Sequence, residues 1–358
     1  MKLLVSALEP SANVHLERLL GQLGSVEIEG IFSGSLGTPL YDSKDFSIMG
    51  FADAIAKLPL ARLAVRDMVE RAPHCDAVLM IDSSGFHITL AKAIKRQHPH
   101  AKIIYYILPQ VWAWRPSRIP LVESTTDIQA CILPFEKSVW SSAIYVGHPL
   151  MEEISTFKEA ATTERTVAFL PGSRRGEISR LMPVYREVAA KLSDRKLLVI
   201  PPHFDKADIQ RLYGDISGFE ISRSTHEALH QSRFAWICSG TATLEAALIG
   251  TPFALAYQAK PIDYWIARRF VKLPYVGLSN VILSYAGREP VHLEYIQKEV
   301  TPENLLQAMS DTDPTRFLER SRELRQLLST PSDQSLPQVV AAAVTESASR
   351  KIAANNSQ

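Results

Sequence analysis

At 358 residues, with 46% hydrophobic and 22% charged side chains, the chain is long enough for two ordinary globular domains and too apolar to stay disordered. A formal net charge of +1 excludes the global field that gathers nucleic acid, so any basic surface has to be local. The 3 cysteines (Cys75, Cys131 and Cys238) lack metal-ligand spacing and fit buried thiols in a reducing compartment.

In chain order, Leu3–Ala7 reads as a buried strand, Glu9–Asn13 as a loop and Val14–Leu23 as a helix. Met1–Val5 is too short for a signal peptide, and no apolar run reaches the roughly 18 residues of a bilayer span. A cytoplasmic protein with at most peripheral membrane contact is expected. Asp76–Ile81, Lys102–Leu108, Ile128–Leu133 and Ile144–Val146 follow as strands, with a helix over Phe86–Gln97. The grammar then repeats: strand Thr166–Leu170, helix Gly176–Ser193, strands Lys196–Ile200 and Phe234–Cys238, helix Thr243–Ile249, strand Pro252–Ala256. Such alternation predicts an α/β chain of two Rossmann-like, doubly wound domains facing a cleft, with helices at the C-terminus. The joint falls near Gly147-His148-Pro149, giving domains at 1–150 and 151–330 and a helical tail at 331–358.

Ligands of open parallel sheets sit beyond the carboxyl ends of the strands, so the loops that follow strands are where chemistry is sought. The sharpest is Cys238-Ser239-Gly240-Thr241-Ala242-Thr243-Leu244-Glu245. Small residues there let a diphosphate approach free N–H groups at a helix start, with Glu245 in reach of ribose hydroxyls. An ordinary N-cap by Thr241 or Thr243 is the plainer reading. Leu170-Pro171-Gly172-Ser173-Arg174-Arg175-Gly176-Glu177 is the matching loop, where an arginine neutralises a departing diphosphate or simply pairs with Glu177. Asp82, at the tip of an apolar strand, suits a general base, or equally an Asx turn. The first loop offers Glu9, Ser11 and Asn13 but lacks the glycines of a dinucleotide fingerprint.

Two aromatic-basic clusters, Trp112-Ala113-Trp114-Arg115 with Arg118, and Tyr264-Trp265 with Arg268, Arg269 and Lys272, suit a lipid interface or a core with snorkelling cations. The same choice applies to the segment from Ile48 to Met68. Asp311-Thr312-Asp313 has the form of a metal-diphosphate motif but follows no strand, and reads as a turn or cap.

Several runs together resemble the lipid-A-disaccharide synthases, inverting glycosyltransferases of the two-Rossmann GT-B architecture. They include Ser47–Phe51, Leu108-Pro109-Gln110-Val111-Trp112-Ala113-Trp114-Arg115, Ile132–Lys137, Val146–Leu150, Leu170–Arg174, Ser239–Glu245, Tyr275–Asn280 and Ala286–Glu289. The resemblance implies transfer of 2,3-diacylglucosamine from UDP-2,3-diacylglucosamine to 2,3-diacylglucosamine 1-phosphate, giving a β-1,6 disaccharide phosphate and UDP. It implies an acceptor-side first domain, a UDP-sugar-binding second domain, no metal or other cofactor, and contact with the cytoplasmic face of the inner membrane. A homodimer is left open. Asp82, Ser11 and Glu9 are the catalytic candidates; Ser173, Arg174, Gly240, Thr241, Thr243, Glu245 and Asn280 are the nucleotide-sugar candidates, Asn280 through the resemblance alone. The chain departs from the family where the first loop reads Leu8-Glu9-Pro10-Ser11-Ala12-Asn13 instead of Gly-Glu-Ala-Ser-Gly-Asp. It departs again where Gly85 replaces a second aspartate and His87 an asparagine. A UDP-sugar epimerase or hydrolase, or a non-catalytic nucleotide-sugar-binding protein, would share the architecture.

Overall fold

The computed structural model describes residues 1–46, 57–261, 264 and 273–355. The chain divides into two compact units, Met1–Pro149 with Thr330–Gln358, and Leu150–Ser329. The tail is therefore not a body of its own but part of the first unit.

In the first unit, strands β1 (Lys2–Ser6), β2 (Glu27–Phe32), β3 (Tyr41–Asp42), β4 (Ala77–Ile81), β5 (Ile103–Tyr106), β6 (Ile128–Cys131) and β7 (Ile144–Tyr145) form one sheet in the order β3-β2-β1-β4-β5-β6-β7. Every pairing is parallel. Strand alternation sends Leu3, Val5, Leu79, Ile81, Ile104 and Tyr106 to one apolar layer. Leu4, Val78, Met80, Ile103 and Tyr105 face the other. Both faces are thus covered, which is why β4 (AVLMI) is apolar at every position. Helix α1 (Pro10–Leu23) and the C-terminal helix, Leu336–Asn355, cover the first layer. Leu336, Val339, Val340 and Ala343 of the latter recur at helical spacing and complete that core.

The second unit holds β8 (Thr166–Leu170), β9 (Arg195–Val199), β10 (Glu220–Ser222), β11 (Phe234–Cys238), β12 (Phe253–Tyr257) and β13 (Leu293–Ile296), in the order β10-β9-β8-β11-β12-β13, again all parallel. Phe169 and Trp236 stack with centroids 4.7 Å apart, and the Trp236 indole N–H donates to Leu305 O at 2.8 Å. That bond satisfies a buried polar atom while tying the sheet to the helix Pro302–Asp311.

Strands β2, β3, β10 and β13 lack a continuous apolar run, and periodicity passes over them. In β2 only the last three residues are buried, while Glu27 pairs with Lys2 at 2.9 Å. Helix α1 begins at Pro10 rather than Val14, because proline at the first helical position forfeits an N–H that has no partner there anyway. Asp313 caps the helix Pro314–Leu328 by accepting from Thr315 N at 2.8 Å. No helix among the described residues is long and apolar enough to cross a membrane.

Candidate active site

Strand order reverses in the second sheet between β8 and β11, and the loops after these two strands meet there. They line a cavity of about 300 Å³ that includes Gly172, Ser173, Arg174, Glu177, Gly240 and Thr241. Each loop opens a helix, α6 (Arg175–Ala190) and α9 (Thr241–Ile249), numbered after α2 (Leu58–Arg71), α3 (Ser84–Gln97), α4 (Ile119–Thr125) and α5 (Leu150–Glu153), with α7 (Lys206–Tyr213) and α8 (Thr225–Gln231) between them. Neither N-cap, Arg174 nor Gly240, spends a side-chain acceptor on the first turn. Two helix N-termini thus open beside one cavity, a geometry suited to phosphate oxygens.

Gly172 is required by the turn. Its φ is +104°, and a Cβ would stand 2.7 Å from Glu177 Oε2 and 3.2 Å from Cys238 Sγ. Glu177 reaches back to the Arg174 N–H at 3.4 Å and accepts from its guanidinium at 3.0 Å. Arg174 remains 82% exposed, so this pairing holds it at the mouth without burying it. The Cys238 thiol is pushed up to about 12 by burial and by the Glu177 carboxylate, which leaves it unreactive. Gly240, at φ +154°, meets no atom within 4 Å of a notional Cβ, so the backbone is open to a close-approaching ligand.

Of the expected nucleotide-sugar residues, Ser173, Arg174, Gly240 and Thr241 line this cavity. Thr243, Glu245 and Asn280 do not. Thr243 is buried and its hydroxyl donates to Gly240 O at 2.8 Å, an internal turn bond. Glu245 lies one turn beyond Thr241 along α9, and burial, with Glu153 nearby, pushes its carboxyl up to about 7. Asn280 is wholly buried, its amide donating to Glu294 Oε1 at 2.8 Å and its oxygen accepting from Val291 N at 2.8 Å. Glu294 also accepts from Val276 N and Gly277 N, so Asn280 braces the 276–280 segment against β13. In this structure its side-chain amide ties the helix start to β13. Glu177, the residue that shapes the mouth, was legible only as a partner for an arginine.

In the first sheet the order reverses between β1 and β4, and the loops carrying Glu9 with Ser11 and carrying Asp82 leave these adjoining strands. Glu9 and Ser11 are exposed at the start of α1, while Asp82 is half-buried. Asp82 and Ser83 take φ of +60° and +42°, successive left-handed conformations that cost about 1–3 kcal/mol each without glycine. Neighbours hold the turn. The Asp82 N–H donates to Tyr106 O at 2.9 Å, and its carbonyl accepts from the Tyr105 hydroxyl at 2.9 Å and from His87 Nδ1 at 2.6 Å.

His87 is completely buried, and desolvation lowers it to about 4, so the ring is neutral. A carbonyl only accepts, hence Nδ1 carries the proton and Nε2 accepts from Ser6 Oγ at 2.8 Å. Ser6 of β1, His87 and Asp82 therefore form one directed chain. Sequence reasoning left His87 without a role; the signal it missed is the pairing of β1 with β4, which brings Ser6 opposite.

Trp112 is anchored rather than presented, with its N–H on Glu136 Oε1 at 3.2 Å and its ring edge-on to Phe135 at 5.1 Å. Burial pushes Glu136 up to about 7. Trp114 is 47% exposed. Residues 47–51, Trp265, Arg268, Arg269 and Lys272 lie outside the described residues.

The lipid-A-disaccharide synthetase family model matches residues 3–336. The chain belongs to that family. It is 43% identical over 360 residues to the lipid-A-disaccharide synthase of Campylobacter jejuni (strain RM1221), covering 94% of this chain and 98% of the relative. The same enzyme of Helicobacter pylori (strain Shi470) is 46% identical over 345 residues, covering 92% and 95%. Among solved structures, MurG of Acinetobacter baumannii aligns with a TM-score of 0.56 at 14% identity, over 96% of this chain and 99% of that one. The calicheamicin glycosyltransferase CalG4 aligns with a TM-score of 0.59 at 13% identity, over 98% of both chains. A UDP-N-acetylglucosamine 2-epimerase aligns with a TM-score of 0.53 at 10% identity, over 100% and 96%. At such identities these likenesses describe the two-Rossmann GT-B fold, which glycosyltransferases and an epimerase share.

Proposed function

We propose that this family member is a glycosyltransferase that moves 2,3-diacylglucosamine from UDP to the 6-hydroxyl of 2,3-diacylglucosamine 1-phosphate, forming the β-1,6 disaccharide phosphate of lipid A synthesis. The observation that carries the donor half is the cavity between the loops after β8 and β11, walled by Ser173, Arg174, Gly240 and Thr241. UDP lies there with its diphosphate on the two helix starts. As the bond to the sugar breaks, negative charge builds on UDP, and Arg174 and the backbone N–H groups stabilise it. Asp82 of the first unit takes the proton from the acceptor hydroxyl, and attack opposite to the departing UDP inverts the anomeric carbon. No metal enters this scheme. The chain works at the cytoplasmic face of the inner membrane, where exposed Trp114 meets lipid.

The deciding experiment incubates the protein with UDP-2,3-diacylglucosamine, with and without the monosaccharide 1-phosphate, and follows UDP and products by mass. The expected result is a disaccharide phosphate, with UDP release that depends on the acceptor. Acceptor-independent release or epimerised donor would instead assign a hydrolase or epimerase on the same fold, and binding of UDP with no product would assign a sensor.

A further inference from the structure

A second cavity, of about 280 Å³, lies in the first unit and is lined by Ser84, Gln110, Val111, Trp114, Arg115 and Arg118, together with Pro109. Among the described residues no carboxylate lines it. Among the described residues neither arginine makes an ion pair: Arg115 stacks over the Trp114 ring at 4.7 Å, and Arg118 donates to Ser84 Oγ at 3.2 Å. Stacking covers the face of a guanidinium and leaves its N–H edge for a planar, bidentate acceptor. The backbone presents the pair deliberately. Arg115 stands at φ +56°, a left-handed conformation, and a single 3₁₀ turn over Pro116–Arg118 follows, closed by Arg118 N on Arg115 O at 3.1 Å. Both side chains line the same opening. A left-handed turn and two arginines without an ion pair among the described residues, placed around one opening, suit the binding of an anion.

Its position says which anion. Ser84 stands two residues after Asp82, so the opening adjoins the carboxylate assigned to the acceptor hydroxyl, whereas the donor diphosphate has its own cavity on the other unit. We propose that Arg115 and Arg118 bind the phosphate monoester of the acceptor, so that the charge at one end of the sugar places the hydroxyl at its other end on Asp82. The assignment rests on the acceptor reading above. The same chemistry could be met by the headgroup of a bulk anionic phospholipid, and the test separates the two sources.

Wild type, Arg115→Gln and Arg118→Gln are assayed in neutral-detergent micelles against 2,3-diacylglucosamine 1-phosphate and against 2,3-diacylglucosamine without the phosphate, with and without added phosphatidylglycerol. Removing the phosphate raises the wild-type acceptor KM by roughly 10–100-fold, the loss expected for charge-assisted contacts. Each substitution raises KM for the phosphorylated acceptor comparably, leaves KM for the UDP-sugar where it was, and shrinks the gap between the two acceptors. Effects of substitution and phosphate removal that simply multiply would overturn the site, because the two changes would then act independently. A penalty seen equally with both acceptors, and only with phosphatidylglycerol present, would overturn it in favour of bulk lipid. If a variant fails to fold, the wild-type comparison of the two acceptors still decides, since an indifferent KM sinks the proposal. Wild type that makes no disaccharide from either acceptor would fail the reaction itself, a distinct result.

Discussion

At the scale of single residues, the site on the first unit is a strained turn held by buried polar side chains. Asp82 has no local reason to adopt φ +60°; Tyr105, His87 and, through His87, Ser6 supply one. Asp82→Asn keeps the shape of the turn while removing the base, so turnover should fall by roughly 10²–10⁴-fold. UDP binding, measured by calorimetry, should stay near wild type; near-normal turnover would dismiss Asp82 as the base. His87 carries a pH signature. Folded, it takes up a proton only near pH 4, whereas the unfolded ring does so near 6.5, so between these values the unfolded chain holds the extra proton. The stability gained by burying the neutral ring is present above about pH 6.5 and lost as pH falls toward 4. Urea unfolding of wild type and His87→Asn across this range should show their difference growing with pH and flattening above 6.5. A difference that did not vary with pH would mean the ring is not held neutral.

At the scale of elements, the end of the second sheet proposed for the nucleotide is built from two strand–turn–helix units whose turns have to be small. Gly172→Ala would drive a Cβ against Glu177 Oε2 at a backbone angle that L side chains avoid. A loss of about 1–3 kcal/mol in urea unfolding is expected, with weaker UDP binding as Glu177 leaves the Arg174 N–H. Bound UDP should slow amide hydrogen exchange in 172–177 and 239–243, the two loops at the reversal between β8 and β11. The turn at 82–87 should be unaffected by UDP alone. Protection that appeared first at 82–87 would put the nucleotide on the other sheet. Membership of a helix also redefined single residues here: Thr243 lies inside α9 and spends its hydroxyl on Gly240, although its place in the motif resembles a ligand.

At the scale of the molecule, the chain leaves its first unit at Pro149 and returns to it at Thr330. The last helix supplies Leu336, Val339, Val340 and Ala343 to a core whose other residues come from the first 146 positions. Val340 is 0% exposed, so Val340→Asp would bury an unpaired carboxylate and cost about 3 kcal/mol or more. Exchange should accelerate in β1 and β4 and not in β8 and β11. Uniform acceleration across both sheets would contradict the division into units.

Sequence alone determined the fold class, because buried parallel strands such as AVLMI, TVAFL and FAWIC carry apolar residues at every position, and small residues at their ends mark phosphate-ready turns. It also pointed to the loops that line the cavity of the second unit, since Ser173, Arg174, Gly240 and Thr241 follow such strands directly. Half-exposed strands such as Glu27–Phe32 escaped it, their burial being set by neighbours rather than by their own period. Only the tertiary structure decided what His87, Glu177, Asn280 and the last helix do. Their partners Ser6, Cys238, Glu294 and, for the last helix, β4 lie on strands remote in sequence, and a hydrogen bond or a buried contact depends on distance in space, which spacing along the chain does not encode.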